Sequence, residues 1–363
     1  MSRLAAAAAG ATFPAVPHSR PFLGRCEEEA ALRVLRSGML APAEEAAAGA
    51  ALLARLSGCG GAVLLSSGTT ALILALRSLG IAPRDRVAIP SYACAAILHA
   101  VRAVPARPLL CDIDPDTLAL DPEDVARRAR GRALAAVLVH PFGLPVRLEP
   151  FRARGLLVVE DCAQAVGAVD RGAPVGSRGD AAVFSFAPTK VVTCGGPGGG
   201  LASPKRAVVE EARDRAQHDG KDDDRLRTNG LMGDLHAAIA SAQMARLAEF
   251  LDRRFSIARL YDEAFARLGL ARLRPPEGAE PIVYRYVVRW PEATRLIEAL
   301  NRRGIGARHP VYRPLHRLAG AEGAFPHTER AHRTLVSLPL YPALSDTEIG
   351  RVITEVGRCL SSP

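Results

Sequence analysis

The chain has 363 residues, 48% hydrophobic and 23% charged, the balance of a globular protein with a large core and, at roughly 150 residues per domain, of two domains. No apolar run approaches the roughly 20 residues that span a bilayer, which excludes an integral helical membrane protein. The net charge is +9, yet all but three of the 47 basic residues are arginines scattered among acids, and aromatics are only 5%; a nucleic-acid partner would need a basic stripe interleaved with aromatics.

The Ala-rich start, Met1 to Ala11, reads as a frayed terminus and not as a signal peptide. Short apolar runs then predict strands at Ala62–Ser66, Arg86–Pro90, Arg107–Asp112, Ala133–Val139, Leu156–Glu160, Asp180–Phe186 and Gly199–Ala202. Helical stretches separate several of them, at Thr69–Leu79, Ala93–Ala103 and Pro122–Arg130. This alternation predicts a mostly parallel sheet with helices on both faces, which binds ligands at the carboxyl ends of its strands. The charged stretch Arg213–Thr228 reads as a surface loop. A long helical run, His236–Leu268, opens a different pattern: a strand at Ile282–Arg289, a helix at Pro291–Arg303 and a terminal helix from Ser345. The predicted organisation is an N-terminal segment (1–22), a large domain (23–235) and a smaller α+β domain behind the long helix (236–363).

Three segments carry chemistry. Ser66-Ser67-Gly68-Thr69-Thr70 follows a strand and opens a helix; it is either a phosphate cup built from free N–H groups or an ordinary N-cap. Asp161 falls at the tip of a buried strand, where a carboxylate needs a cation such as a protonated pyridine nitrogen, or else caps a helix. Lys190 follows the strand ending at Phe186, five residues after Ser185. Lysine forms a Schiff base and arginine does not. In a chain with only Lys190, Lys205 and Lys221, a retained lysine suggests that its amine matters. The seven cysteines include no C-x-x-C pair and are odd in number, which predicts free thiols in a reducing cytoplasm. The histidines lack metal-ligand spacing, so no metal is expected.

Together, in this order, these segments resemble a pyridoxal 5′-phosphate (PLP) enzyme of the aspartate aminotransferase fold, and more narrowly the DegT/StrS-type sugar aminotransferases. Further marks are Ile89-Pro90-Ser91-Tyr92, Asp112-Ile113-Asp114-Pro115, Val139-His140-Pro141-Phe142-Gly143, Tyr312-Arg313-Pro314-Leu315-His316 and Ser337-Leu338-Pro339-Leu340-Tyr341-Pro342. The resemblance implies a three-layer α/β/α fold with a mostly parallel seven-stranded sheet and a smaller C-terminal α+β domain. It implies that Lys190 holds PLP as an internal aldimine and then shuttles the proton, and that Asp161 binds the pyridine nitrogen. Gln164 would contact the ring's 3-oxygen and Tyr92 would stack on its face, while Gly68, Thr69 and Ser185 would hold the phosphate. Asn229 would reach the phosphate in the neighbouring subunit of a homodimer. Arg225, Arg227, His309, Tyr312 and His316 are weaker candidates for the substrate. The implied reaction moves an amino group from glutamate or glutamine to a keto sugar, probably one linked to a nucleotide; a keto-cyclitol acceptor and a non-catalytic PLP-binding regulator are the alternatives.

The chain departs from the family's pattern at Arg227 (usually Gly), at Leu231 (usually Arg) and in Gly195-Gly196-Pro197-Gly198-Gly199, which lacks the usual Glu. None of these positions supplies a proton-transfer group; they bear on the acceptor pocket or the dimer contact.

Overall fold

The computed structural model describes residues 15–130 and 133–361; Met1 to Ala11 lie outside them. Seven strands form one sheet: β1 (Gly61–Leu65), β2 (Arg86–Pro90), β3 (Arg107–Cys111), β4 (Ala135–Val139), β5 (Leu157–Asp161), β8 (Ala181–Ser185) and β9 (Gly199–Ser203), in the order β1-β9-β8-β5-β4-β2-β3. Only β9 runs against the others. All seven predicted strands are therefore in this sheet, each shifted by no more than two residues. Every residue of β4 is buried, as expected of strands covered on both faces. Leu72, Leu76, Ile97, Val101 and Val209 from three helices cover one face. On the other, Leu53, Met244 and Phe184 pack near β1 and β8, and Val125 and Phe151 near β3 and β4. The two-residue strand β6 (Val169–Asp170) pairs antiparallel with both β7 (Ala173–Pro174) and β10 (Ala279–Glu280).

The C-terminal part has its own core. β11 (Tyr286–Arg289) and β12 (Leu335–Leu338) pair antiparallel, and the helices Leu247–Ala266, Ala293–Arg302 and Asp346–Ser361 pack on them through Tyr261, Phe265, Leu300 and Val352. Val16, from the start of the chain, is 1% exposed in this same core and pairs with Ile305. His18 Nε2 lies 2.9 Å from Ser337 Oγ, and Arg20 forms an ion pair with Glu348 at 2.8 Å. The segment ahead of the large sheet is thus threaded into the far end of the chain.

Three expectations are corrected. The run His236–Leu268 is two helices, Asp234–Ala245 and Leu247–Ala266, meeting at Arg246. Arg246 leaves helical geometry there, and its guanidinium bridges Glu27 (3.0 Å) and Glu249 (2.9 Å), which fixes the corner. Arg213 to Arg215 belong to the helix Arg206–Arg215 and not to the charged loop. The predicted strand Ile282–Arg289 pairs only from Tyr286 onward. Its first residues bond instead to the loop after β4: Ile282 N donates to Gly143 O (3.1 Å) and Tyr284 N to Phe142 O (3.2 Å).

That loop requires glycine. Gly143 has φ +99°, and a Cβ there would fall on the Ile282 carbonyl oxygen. Gly143→Ala is expected to cost roughly 2 kcal/mol or more, from the left-handed backbone and the clash together. A thermal melt of the variant should show a midpoint several degrees lower.

Candidate active site

The carboxyl ends of β1, β4, β5 and β8 deliver the chemistry-bearing residues to one edge of the sheet. After β1 comes the helix Gly68–Ser78, capped by Ser67, whose Oγ accepts from Thr70 N at 3.0 Å. The N–H groups of Gly68 and Thr69 have no acceptor within the helix. A Cβ on Gly68 would come within 3.1 Å of Ser185 Cβ, so glycine brings this N-terminus against the end of β8. The result is a set of backbone and hydroxyl donors aimed where an anion is favoured.

Asp161 ends β5 and is 7% exposed. Its Oδ1 accepts from Ala163 N at 3.0 Å, while its second oxygen receives no hydrogen bond among the described residues. Burial pushes its carboxyl up; the Ala163 N–H, Lys190 and His140 act in the opposite direction. Gln164, on the following turn, accepts from Phe142 N through Oε1 (3.1 Å), which leaves its amide nitrogen free to donate.

Lys190 is held by its backbone N–H to Ala187 O (2.9 Å). Its Nζ lies over the ring of Tyr284, 5.5 Å from the centroid. The other two lysines are spent in ion pairs, Lys205 with Asp180 (2.7 Å) and Lys221 with Asp214 (2.6 Å). Among the described residues Lys190 Nζ has no such partner. Its ammonium is nevertheless close enough to Asp161 and Tyr284 to act on both. Burial raises the Tyr284 phenol, but Lys190, Arg285 and Arg254 outweigh it and bring the group down to about 8.

Other expected residues are committed elsewhere. The Tyr92 ring, 3% exposed, belongs to an apolar cluster with Ile113, Leu118, Phe142 and Val287. His316 is locked between Ser91 Oγ (2.6 Å) and Glu329 Oε1 (2.7 Å) and stacks on Phe325. His309 stacks on His332 at 4.7 Å, inside the C-terminal part. Tyr312 is 95% exposed. Arg225 pairs with Glu211 (2.5 Å), and Arg227 with Asp214 and Asp223. Both arginines therefore brace their own loop. Asn229 is exposed on that loop, next to Gly230, whose carbonyl accepts from Ser66 N (2.8 Å).

His140, Glu160 and Cys162 form a buried cluster of metal-ligand types. Their hydrogen bonds account for it without an ion. His140 Nδ1 accepts from Val146 N (3.0 Å), so Nε2 carries the hydrogen and donates to Glu160 (3.1 Å). Glu160 also accepts from Gly176, Arg178 and Gly179 N–H. The pair anchors the strand end that carries Asp161.

Sequence reasoning missed His18, Arg254, Tyr284 and Arg285, which line the cleft around Lys190. They come from both ends of the chain and carry no local signal. A wide cavity of about 990 Å³ lined by Arg86, Arg127 and Arg128 holds none of the expected residues.

The profile of the DegT/DnrJ/EryC1/StrS aminotransferase family matches residues 22–357. The chain is 31% identical over 323 residues to UDP-N-acetyl-3-dehydro-alpha-D-glucosamine 3-aminotransferase of Acidithiobacillus ferrooxidans, covering 85% of this chain and 86% of that one. It is 33% identical over 320 residues to dTDP-4-dehydro-2,3,6-trideoxy-D-glucose 4-aminotransferase of Saccharopolyspora spinosa, covering 81% and 83%. The crystal structure of DesV from S. venezuelae, in complex with a ketimine intermediate, superposes with a TM-score of 0.87 at 31% identity over 93% of this chain and 95% of that one. A profile match over residues 22–357, with relatives more than 30% identical over most of both chains, places the chain in the DegT/DnrJ/EryC1/StrS aminotransferase family.

Proposed function

We propose that the chain is a PLP-dependent aminotransferase that takes an amino group from an amino acid, glutamate or glutamine, and gives it to a nucleotide-linked keto sugar. The observation that carries this reading is Lys190: the lysine without an ion-pair partner among the described residues, just past the end of β8, within the field of Asp161. The relatives named for UDP- and dTDP-linked keto sugars support the acceptor class.

The residues fit PLP. Asp161 has one carboxylate oxygen unclaimed in a buried place, which suits a pyridinium N–H and offsets the cost of burying the charge. Gln164, with its oxygen occupied by Phe142 N, presents N–H to the ring's 3-oxygen. Gly68, Thr69 and Ser185 form the cradle for the phosphate. When bound, PLP supplies an aldehyde for the amine and a ring that accepts the electron pair left when a C–H bond breaks.

The chain's own groups do the rest. Lys190 Nζ would hold the cofactor between turnovers and would serve as the base that takes the proton from the donor's α-carbon and as the acid that returns it to the cofactor carbon on the far side of the transferred nitrogen. The face of Tyr284 gives the released ammonium a place to rest. Asp161 keeps the ring nitrogen protonated, anchored by its bond from Ala163 N–H.

The exposed Asn229, on a loop beside the cradle, supports a homodimer in which it reaches the partner's phosphate site. All seven cysteines are free, which supports a reducing cytoplasm. The boundary expected at residue 235 would shift to about Arg246, because Ala237, Ala240 and Met244 pack against the main sheet, while the C-terminal unit keeps its own core with Val16.

The test is a spectrum of the PLP-loaded protein. Its cofactor band should disappear with glutamate or glutamine and return with a nucleotide-linked keto sugar. No response to any amino acid would reject the aminotransferase reading.

A further inference from the structure

The cleft around Lys190 is rich in cations. His18, Arg20, Lys190, Arg254 and Arg285 line it, and no carboxylate does. Most of these cations are already engaged. Arg20 is paired with Glu348 at 2.8 Å. Arg254, 3% exposed, spends Nη1 on the carbonyls of Val283 (3.4 Å), Tyr284 (3.0 Å) and Leu340 (3.1 Å). His18 is held neutral, its pKa lowered to about 3 by burial and by Arg285 and Arg308. Arg285 is different. Its guanidinium lies 5.2 Å from the centroid of the Tyr284 ring and 3.5 Å from the Tyr284 hydroxyl. Among the described residues neither Arg254 nor Arg285 has a carboxylate partner, but Arg285 is half-buried and its guanidinium is not spent on backbone carbonyls.

We infer that Arg285 receives the α-carboxylate of the amino-acid donor. This rests on the aminotransferase reading and names a substrate contact within it. An amino acid brings its carboxylate one carbon away from the carbon whose nitrogen is transferred. The cation that reads it must therefore belong to the same small site as the lysine amine. Arg285 and Lys190 lie over the same aromatic ring. The diphosphate of a nucleotide-linked sugar is set farther from the reacting carbon by the sugar ring, so its contacts lie farther from Lys190. A guanidinium also matches a carboxylate with two parallel N–H donors. The clamp Tyr284 N–Phe142 O (3.2 Å) fixes the residue beside it to the loop after β4, so the cation is presented on a rigid segment.

The two half-reactions separate the outcomes. In single turnovers of the PLP-loaded enzyme, Arg285→Gln should weaken the apparent affinity for glutamate by about 10- to 100-fold, the loss of one charge-assisted contact. Affinity for the keto sugar should stay within about threefold, since most affinity changes come from contacts directly lost. Arg285→Lys should recover part of the donor affinity. Calorimetry of 2-oxoglutarate binding to the cofactor-free protein reads the same contact without turnover, and Arg285→Gln should weaken it by a similar factor. Equal 2-oxoglutarate affinity in wild type and variant overturns the assignment. So does a loss confined to the keto sugar, which would make Arg285 a diphosphate contact, or an equal loss in both half-reactions, which would make it structural. Failure of the wild-type protein to react with any amino acid would reject the aminotransferase reading, while the calorimetric comparison would still decide whether Arg285 binds a carboxylate.

Discussion

Lys190→Ala is expected to abolish amino transfer, with a loss of roughly 10⁴-fold or more, because one group is both the cofactor's anchor and the proton carrier. The fold should survive. Lys190 Nζ makes no ion pair among the described residues, and its contact is the face of Tyr284 at 5.5 Å. Far-ultraviolet circular dichroism and the melting midpoint should therefore stay near wild type, while the cofactor band no longer responds to glutamate. Turnover of the variant at the original rate would disprove the assignment. The same variant tests the shared site. Asn229→Ala should also be nearly inactive, and each protein alone should remain so. Mixing them under conditions that exchange subunits should restore activity to about a quarter of wild type, because half the dimers then carry one site free of both defects. No recovery would place Asn229 in its own subunit's site or outside any site.

Asp161→Asn should cost on the order of 10²–10⁴-fold in the donor half-reaction. Removing one partner of a buried charge pair costs about 3–5 kcal/mol, and each 1.36 kcal/mol is roughly tenfold in rate. Asparagine keeps the shape and can still accept from Ala163 N–H, but it cannot hold the ring nitrogen protonated. The variant should therefore bind PLP, with weakened affinity, and fail to break the donor's C–H bond at a useful rate. Exchange of the α-hydrogen of glutamate in deuterated buffer measures that step directly. An unchanged exchange rate would remove Asp161 from the mechanism. Burial raises the Asp161 carboxyl in the protein alone; the cation it meets on loading is what makes the ionised form affordable.

The main sheet was legible because its strands are short apolar runs buried on both faces, and these stand out without knowledge of their neighbours. Asp161 and Lys190 could be found for a related reason: each follows such a run by a residue or a few, at the end of the sheet where ligands bind. What could not be read was which partners the remaining candidates would meet in space. His316 bears the same motif whether it faces a ligand or not; Ser91 and Glu329 claim both its nitrogens. Tyr92 sits beside the site in sequence, yet it packs with Phe142 and Val287. The charges of Arg225 and Arg227 are absorbed by Glu211, Asp214 and Asp223.

From the order of its residues alone, this chain determines its layers and the strand ends near which Asp161 and Lys190 fall, because periodicity and strand ends are local properties. The surroundings of Lys190 were decided only in three dimensions. His18 from the start of the chain, Arg254 from the middle and Arg285 from the C-terminal part converge on one cleft. Which cations there remain without an anion depends on pairings such as Arg20 with Glu348, separated by more than three hundred residues. Charge neutralisation acts through space, so a linear reading sees the charges but not which of them are left for a substrate.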